Sequence, residues 1–147
     1  MNIKSLEHLN SLSKKVADQL STNDCIYLIG EIGVGKTTFT KNLINYLQFK
    51  EGTKVTEVLS PTFNLLYEYD LKKFKIMHYD LYRINEEKEL INLGIFQNSQ
   101  NTIKIIEWPS LIKTPVLDKL EIYLDYGKNE NEREIRFVGK GKWLNFK

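Results

Sequence analysis

The chain has 147 residues, 41% hydrophobic and 27% charged, which is enough for one hydrophobic core and short for two. A net charge of +2 excludes bulk attraction to nucleic acid or membrane as the organising feature. Arg83, Arg133 and Arg136 are the only arginines, Cys25 is the only cysteine, and no apolar run approaches the roughly 20 residues that span a bilayer. Bidentate arginine clamps on phosphate are therefore scarce, and an intrachain disulfide is impossible.

The N-terminal "MNIKSLEHLN" lacks the apolar stretch of a secretory signal, so a soluble cytoplasmic protein is expected. Leu6, Leu9, Leu12, Val16 and Leu20 recur at helical spacing after Ser5, a good N-cap, and "STND" closes that helix. "CIYLI" (25–29) is short, apolar and ended by Gly30, as a buried parallel strand should be. Cys25 lies inside it and reads as a small buried hydrophobe rather than a reactive thiol. From Thr37 to Leu47, Phe39, Leu43, Ile44 and Leu47 mark the face of a second helix.

An extended segment broken by Pro61 follows Gly52. "NLLYEYDLKKFKIMHYDLY" then reads as two strands around a turn at 70–73. "NEEKELINLG" predicts a short helix capped by Asn85 and stopped by Gly94. "TIKIIEWP" is a strand cut off by Pro109, which is expected to hold Trp108 extended. "KLEIYLDY" alternates apolar and polar residues, and "REIRFVG" is placed to pair with it across the polar loop "GKNENER". With no internal repeat or linker, residues 1–147 read as a single domain. The order of elements fits an α/β fold with antiparallel additions to a mixed sheet.

The chemistry sits in "GEIGVGKTTF". Gly30-x-x-x-x-Gly35-Lys36-Thr37 matches the phosphate-loop pattern in full, and it falls between the predicted strand and helix. Glycines let successive main-chain N–H groups turn inward onto phosphate oxygens, and the helix behind them offers unpaired donors and a positive dipole end. Lys36 then serves the β- and γ-phosphates, and the Thr37 hydroxyl serves Mg²⁺. The expected architecture is a P-loop NTPase-like three-layer sandwich with a mixed, partly parallel sheet.

A loop of this kind needs an acid on a neighbouring strand end. Glu107, closing "IKIIE", fits best, and Asp80, closing "KIMHYD", is the second candidate. One would anchor the metal, while the other would orient water or polarise the metal's ligands. Trp108, beside Glu107, reads as core by itself and gains a nucleotide-side role from its neighbour. His78, two residues before Asp80 and on the same strand face, reads as a structural histidine rather than a general base. Ser60-Pro61-Thr62 puts two hydroxyls on a rigid turn able to sense a γ-phosphate.

Taken in order and at this spacing, "GEIGVGKTTF", "LSPTFNLLYEY", "HYDLYRI", "KELINLG" and "IIEWP" resemble the TsaE family, also called YjeE, over roughly residues 5–126. That resemblance implies a small P-loop ATPase needed to make threonylcarbamoyladenosine in tRNAs that read codons beginning with A. Such a protein does not carry out the carbamoyl transfer. It binds the TsaB–TsaD pair and resets that complex by hydrolysing ATP, meeting tRNA only through it.

Carried onto this chain, the resemblance implies that Gly33, Val34, Gly35, Lys36, Thr37 and Thr38 wrap the phosphates, with Lys36 on the γ-side. Thr37 and Glu107 would hold Mg²⁺, with Asp80 beside the metal and active in hydrolysis. Ser60 and Thr62 would form a switch-like segment, Trp108 would lie near the nucleotide, and Arg133 would contact it. Val34 stands where the family commonly has alanine, and Lys88 where it has an acid. Two other readings stay open: a small P-loop kinase, against which the lack of any arginine between Arg83 and Arg133 argues, and a nucleotide-gated binding module without useful turnover.

Overall fold

The computed structural model describes residues 1–97 and 100–147. Strand β1 (Asn2–Ile3) leads into helix α1 (Leu6–Gln19), strand β2 (Cys25–Ile29) and helix α2 (Lys36–Glu51). Strands β3 (Leu66–Asp70) and β4 (Lys75–Asp80) precede helix α3 (Glu87–Asn92) and strand β5 (Thr102–Glu107). Strands β6 (Lys119–Tyr126) and β7 (Arg133–Lys140) complete a seven-stranded sheet ordered β1-β7-β6-β2-β5-β4-β3. The four central strands, β6, β2, β5 and β4, are parallel, while β3, β7 and β1 add antiparallel edges. The mixed, partly parallel α/β architecture expected from the sequence is the one observed.

Helices α1 and α2 cover one face of the sheet. Leu9, Leu12 and Val16 from α1, and Phe39, Leu43 and Ile44 from α2, pack on alternate residues of the strands: Ile26, Leu28, Ile103, Ile105, Leu120, Ile122 and Leu124. This face is closed by helix-on-sheet burial of large aliphatic groups, each worth about 1.5–3 kcal/mol. The other face carries Tyr27, Tyr79 and Ile106 and is covered thinly, by α3 with Leu90 and by irregular chain bearing Leu81, Ile84 and Ile95. Cys25 lies in this second cluster, 4% exposed, and burial pushes its thiol up to about 12. Among the described residues no helix is long and apolar enough to cross a membrane.

Several local expectations change. Ser5 caps α1 by accepting the His8 N–H at 3.2 Å, but Leu6 is exposed rather than part of the apolar face. Helix α2 runs a turn past Leu47, and Gly52, at φ 76°, ends it. That extra turn carries the buried Gln48, whose amide exchanges hydrogen bonds with the Thr56 hydroxyl and main-chain N–H, a partnership invisible to apolar periodicity. The cap of α3 is Glu86, not Asn85, and its side chain makes no capping hydrogen bond.

Trp108 is left-handed (φ 58°, ψ 57°), not extended before Pro109. Its N–H donates to Leu28 O at 3.3 Å, its ring lies 4.8 Å from Tyr82, and the Lys36 ammonium sits 4.4 Å from its ring centroid. Tertiary contacts override the local preference, at a strain of about 1–3 kcal/mol of the kind held at functional sites.

Candidate functional site

The parallel strands end together, and their C-terminal ends set the site. In register, Asp80 of β4 lies beside Glu107 of β5, and Glu107 lies beside Leu28 of β2. The chain leaves β2 through Gly30, turns over these ends and enters α2 at Lys36. Gly33 and Gly35 adopt φ of 77° and 120°, conformations that cost an L-side chain, so the loop's curl is written in its glycines. Gly30, at φ 156°, answers to space as well: a Cβ there would lie 2.2 Å from Leu124 O.

A cleft of about 330 Å³ opens where this loop meets the strand ends. Gly33, Gly35, Lys36, Thr37, Thr38, Ser60, Thr62, Asp80, Glu107 and Trp108 all line it, joined by Ile32 and Tyr82, which the sequence reading did not single out. Val34 and Arg133 do not line it. The Val34 side chain is buried in the core under the loop. Arg133 reaches the loop from outside, its Nε donating to Val34 O at 3.0 Å and its guanidinium lying over the Tyr126 ring at 4.5 Å. Tyr126 in turn donates to Ile32 O at 2.8 Å. Hairpin β6–β7 therefore grips the two outward carbonyls of the loop. The Tyr126 hydroxyl and Arg133 contacts depend on the assembled sheet, and no local pattern signals them.

Inside the cleft the polar groups form two sets. In the first, the Thr37 hydroxyl donates to Glu107 Oε1 at 3.0 Å, and the same oxygen lies 2.9 Å from His78 Nε2. In the second, Asp80 Oδ2 accepts from Thr62 at 2.9 Å and Ser60 at 3.2 Å, while Oδ1 accepts the Tyr82 N–H at 3.0 Å. Glu107 and Asp80 are 2% and 3% exposed, so each carboxylate's hydrogen bonds decide where it faces. Lys36 is also buried. Its ammonium donates to Gly30 O and Glu31 O, both at 2.8 Å. Burial lowers its pKa, opposed by the nearby Glu107 and Asp80 carboxylates.

The donor set is hard oxygen: one hydroxyl and one or two carboxylates. Among the described residues no three His, Cys, Asp or Glu side chains gather into a cage. That chemistry fits Mg²⁺, which takes one or two carboxylates and leaves its remaining positions to water and phosphate. Main-chain donors at the start of α2, a lysine at their centre and carboxylates below suit a polyphosphate bearing that cation.

A strand, glycine loop and helix on a parallel sheet, with acids on the adjoining strand ends, define a P-loop α/β domain. A family model described as threonylcarbamoyl adenosine biosynthesis protein TsaE matches residues 3–135. Curated proteins named tRNA threonylcarbamoyladenosine biosynthesis protein TsaE are similar over most of their length. The Rickettsia typhi protein is 35% identical over 97% of this chain and 95% of its own, and the Bacillus subtilis protein 32% identical over 92% and 82%. The crystal structure of Bacillus subtilis YdiB superposes with a TM-score of 0.71 at 26% identity, covering 98% of this chain and 86% of that one. The chain belongs to the TsaE family.

Proposed function

We propose that this chain is the ATP-binding and hydrolysing subunit of the cytoplasmic machinery that installs threonylcarbamoyladenosine in tRNA, acting with Mg²⁺ and with a TsaB–TsaD pair. The observation that carries this reading is the Thr37–Glu107 hydrogen bond at the mouth of the glycine loop. It joins the hydroxyl of the phosphate-loop motif to a strand-end acid 70 residues away. Family membership supports the tRNA-modification role, since the curated relatives carry it in their names.

Thr37 and Glu107, with Asp80 beside them, would hold Mg²⁺. When bound, the cation neutralises charge on the β- and γ-phosphate oxygens. Lys36 gives its donors to phosphate oxygens in exchange for the carbonyls of Gly30 and Glu31. Asp80, held by Ser60, Thr62 and the Tyr82 N–H, orients water for in-line attack on the γ-phosphorus. Because Ser60 and Thr62 end on that carboxylate, the 60–62 segment moves with whatever Asp80 contacts, and this is the route by which nucleotide state reaches a partner. TsaB–TsaD binds the nucleotide-loaded form, and tRNA is met only through that complex.

No arginine lines the cleft among the described residues. A charge supplied in trans is worth about 10³–10⁵ in rate in related NTPases, so turnover by the free subunit is slow. The Ser60–Thr62–Asp80 linkage also favours a second reading, a nucleotide-gated binding module without useful turnover. Single-turnover hydrolysis of Mg-ATP, alone and with the TsaB–TsaD pair, tests both. Inorganic phosphate released faster with the pair is the expected result. Equal, negligible release in both leaves the gated module, and a phosphorylated small molecule in an acceptor screen would make the protein a kinase instead.

A further inference from the structure

His78 lines no part of the cleft, yet it touches the cleft's chemistry from behind. The ring is wholly buried on β4, beside Ile105 of β5 and two residues after Ile76, on the face that α1 and α2 cover. Aliphatic neighbours would pack as well against another hydrophobe. An imidazole there carries two polar nitrogens into an apolar layer, and only one of them finds a partner: Nε2 meets Glu107 Oε1 at 2.9 Å, while Nδ1 has none and is shut off from solvent. A carboxylate has only acceptors to offer, so the proton in the contact belongs to the ring. The contact therefore places a proton on Nε2, and Nδ1 is left without a partner.

Two donors thus converge on one oxygen, since the Thr37 hydroxyl also donates to Oε1. Among the described residues no hydrogen bond is made to Oε2, the other oxygen of a side chain that lines the cleft. By giving its proton to Glu107, the Thr37 hydroxyl keeps its own lone pairs free. A long carboxylate side chain pinned on one oxygen by donors from two different elements has little rotational freedom left to lose.

We propose that His78 is a positioning residue that presets Glu107, holding Oε1 against Thr37 so that the hydroxyl and the free carboxylate oxygen face a divalent cation together. The proposal rests on the Mg-nucleotide reading of the cleft and deepens it. Partners of this kind, one shell behind the ligand, tune metal binding more than the binding of the rest of the substrate. The signature is therefore a selective weakening of Mg²⁺ affinity.

Three proteins test it: wild type, His78→Met with comparable bulk and no donor, and His78→Gln, whose amide N–H reaches toward the place of Nε2–H. Binding of a fluorescent ATP analogue is titrated in chelator and then against Mg²⁺, with thermal unfolding as the check on folding and kcat and KM from hydrolysis with the TsaB–TsaD pair. In His78→Met the Mg²⁺ concentration for half effect should rise about 10–100-fold, with metal-free affinity held within about twofold and kcat falling more than KM changes. His78→Gln should recover most of the difference.

An unchanged Mg²⁺ dependence in His78→Met, equal losses with and without the cation, or a Gln variant no better than Met would each overturn the role. If wild type binds no nucleotide with or without Mg²⁺, the reading of the cleft falls and takes this role with it. If wild type binds and His78→Met matches it, the role alone falls. Should His78→Met fail to fold, nitrogen NMR of the wild type decides, because the only other histidine, His8, is half-buried in the first turn of α1 whereas His78 is wholly buried. A buried ring protonated at Nε2, whose resonance shifts when Mg²⁺ joins the nucleotide complex, is expected. A ring protonated at Nδ1 alone, or one indifferent to Mg²⁺, overturns the proposal.

Discussion

Two lysines sit at opposite ends of the same sheet, each donating to two main-chain carbonyls, and only one of them lines the cleft with the strand-end acids. Lys36, at the C-terminal ends of the parallel strands, donates to the carbonyls of Gly30 and Glu31. Lys104, which lines a cavity of about 580 Å³ toward the N-terminal ends, donates to the carbonyls of Ile95 and Gln97. Burial lowers the pKa of both.

The second cavity is the larger, and it also holds a buried acid, Asp24. Yet Asp24 gives one oxygen to the Ser21 N–H and to Lys142, and the titratable group acting on Lys104 is the Cys25 thiol, which burial holds protonated and uncharged. At the other end, Lys36 faces two carboxylates, a threonine hydroxyl and the start of a sixteen-residue helix. Volume does not make a site. Convergence of unlike polar groups on one point, at the end of a sheet where helix termini and strand ends face the same way, does.

The largest effect that could break this contrast is at Lys36. Lys36→Ala should reduce Mg-ATP turnover with the TsaB–TsaD pair by about 10²–10³-fold, the usual cost of one preorganised transition-state donor, with circular dichroism unchanged. A soluble variant with full turnover would make the two lysines equivalent after all. Next comes Glu107→Ala. It should weaken the Mg²⁺ dependence of nucleotide binding by about 10–100-fold while sparing metal-free affinity, measured by calorimetry in chelator and in Mg²⁺. Equal losses in both would make Glu107 a structural acid like Asp24.

A smaller effect is expected from the brace outside the loop. Tyr126→Phe removes the hydrogen bond to Ile32 O, worth about 0.5–1.5 kcal/mol, and nucleotide affinity should fall severalfold with little change in unfolding temperature. Lys104→Met should do the reverse. It removes two hydrogen bonds at the far cavity, so the protein should melt several degrees lower, at about 2–4 °C per kcal/mol for a chain of this size, with nucleotide affinity untouched.

At neutral pH Cys25 gives the smallest effect. Burial pushes its thiol up to about 12 in the fold, against 9.0 for an unperturbed one, so it should resist thiol reagents at pH 8 until the protein is unfolded. As pH rises past 9.0 the unfolded chain loses that proton first. The thiol's share of stability should therefore fall between pH 9.0 and about 12, and denaturant midpoints compared with Cys25→Ala would show it.

Much of this was readable along the chain because the determinants are local. The loop needs glycines where φ is positive, a lysine and a threonine at the first turn of the helix behind it, and apolar residues at the spacing that buries strand and helix. Asp80 and Glu107 were legible as acids ending apolar strands, and parallel pairing in register is what set them side by side.

Local reading failed where a distant contact outbid a local preference. Trp108 gave up the extended form that Pro109 favours in order to pack on Tyr82 and Lys36. Arg133, which the resemblance alone implied as a nucleotide contact, donates to the Val34 carbonyl, a partner no local pattern names. His78 read as a core histidine, and so it is by burial. Only the assembled sheet showed which oxygen its one partnered nitrogen meets.

The sequence by itself determined the elements, the place of the glycine loop between strand and helix and which residue types line it. Dihedral preference, hydrophobic period and donor chemistry are properties of a residue and its near neighbours. The tertiary structure alone decided the division of labour: Glu107 bound to Thr37 and His78, Asp80 to Ser60 and Thr62, and the loop held from outside by Tyr126 and Arg133. Each of these is a hydrogen bond between segments far apart in the chain, and its existence depends on strand order, which no local pattern encodes.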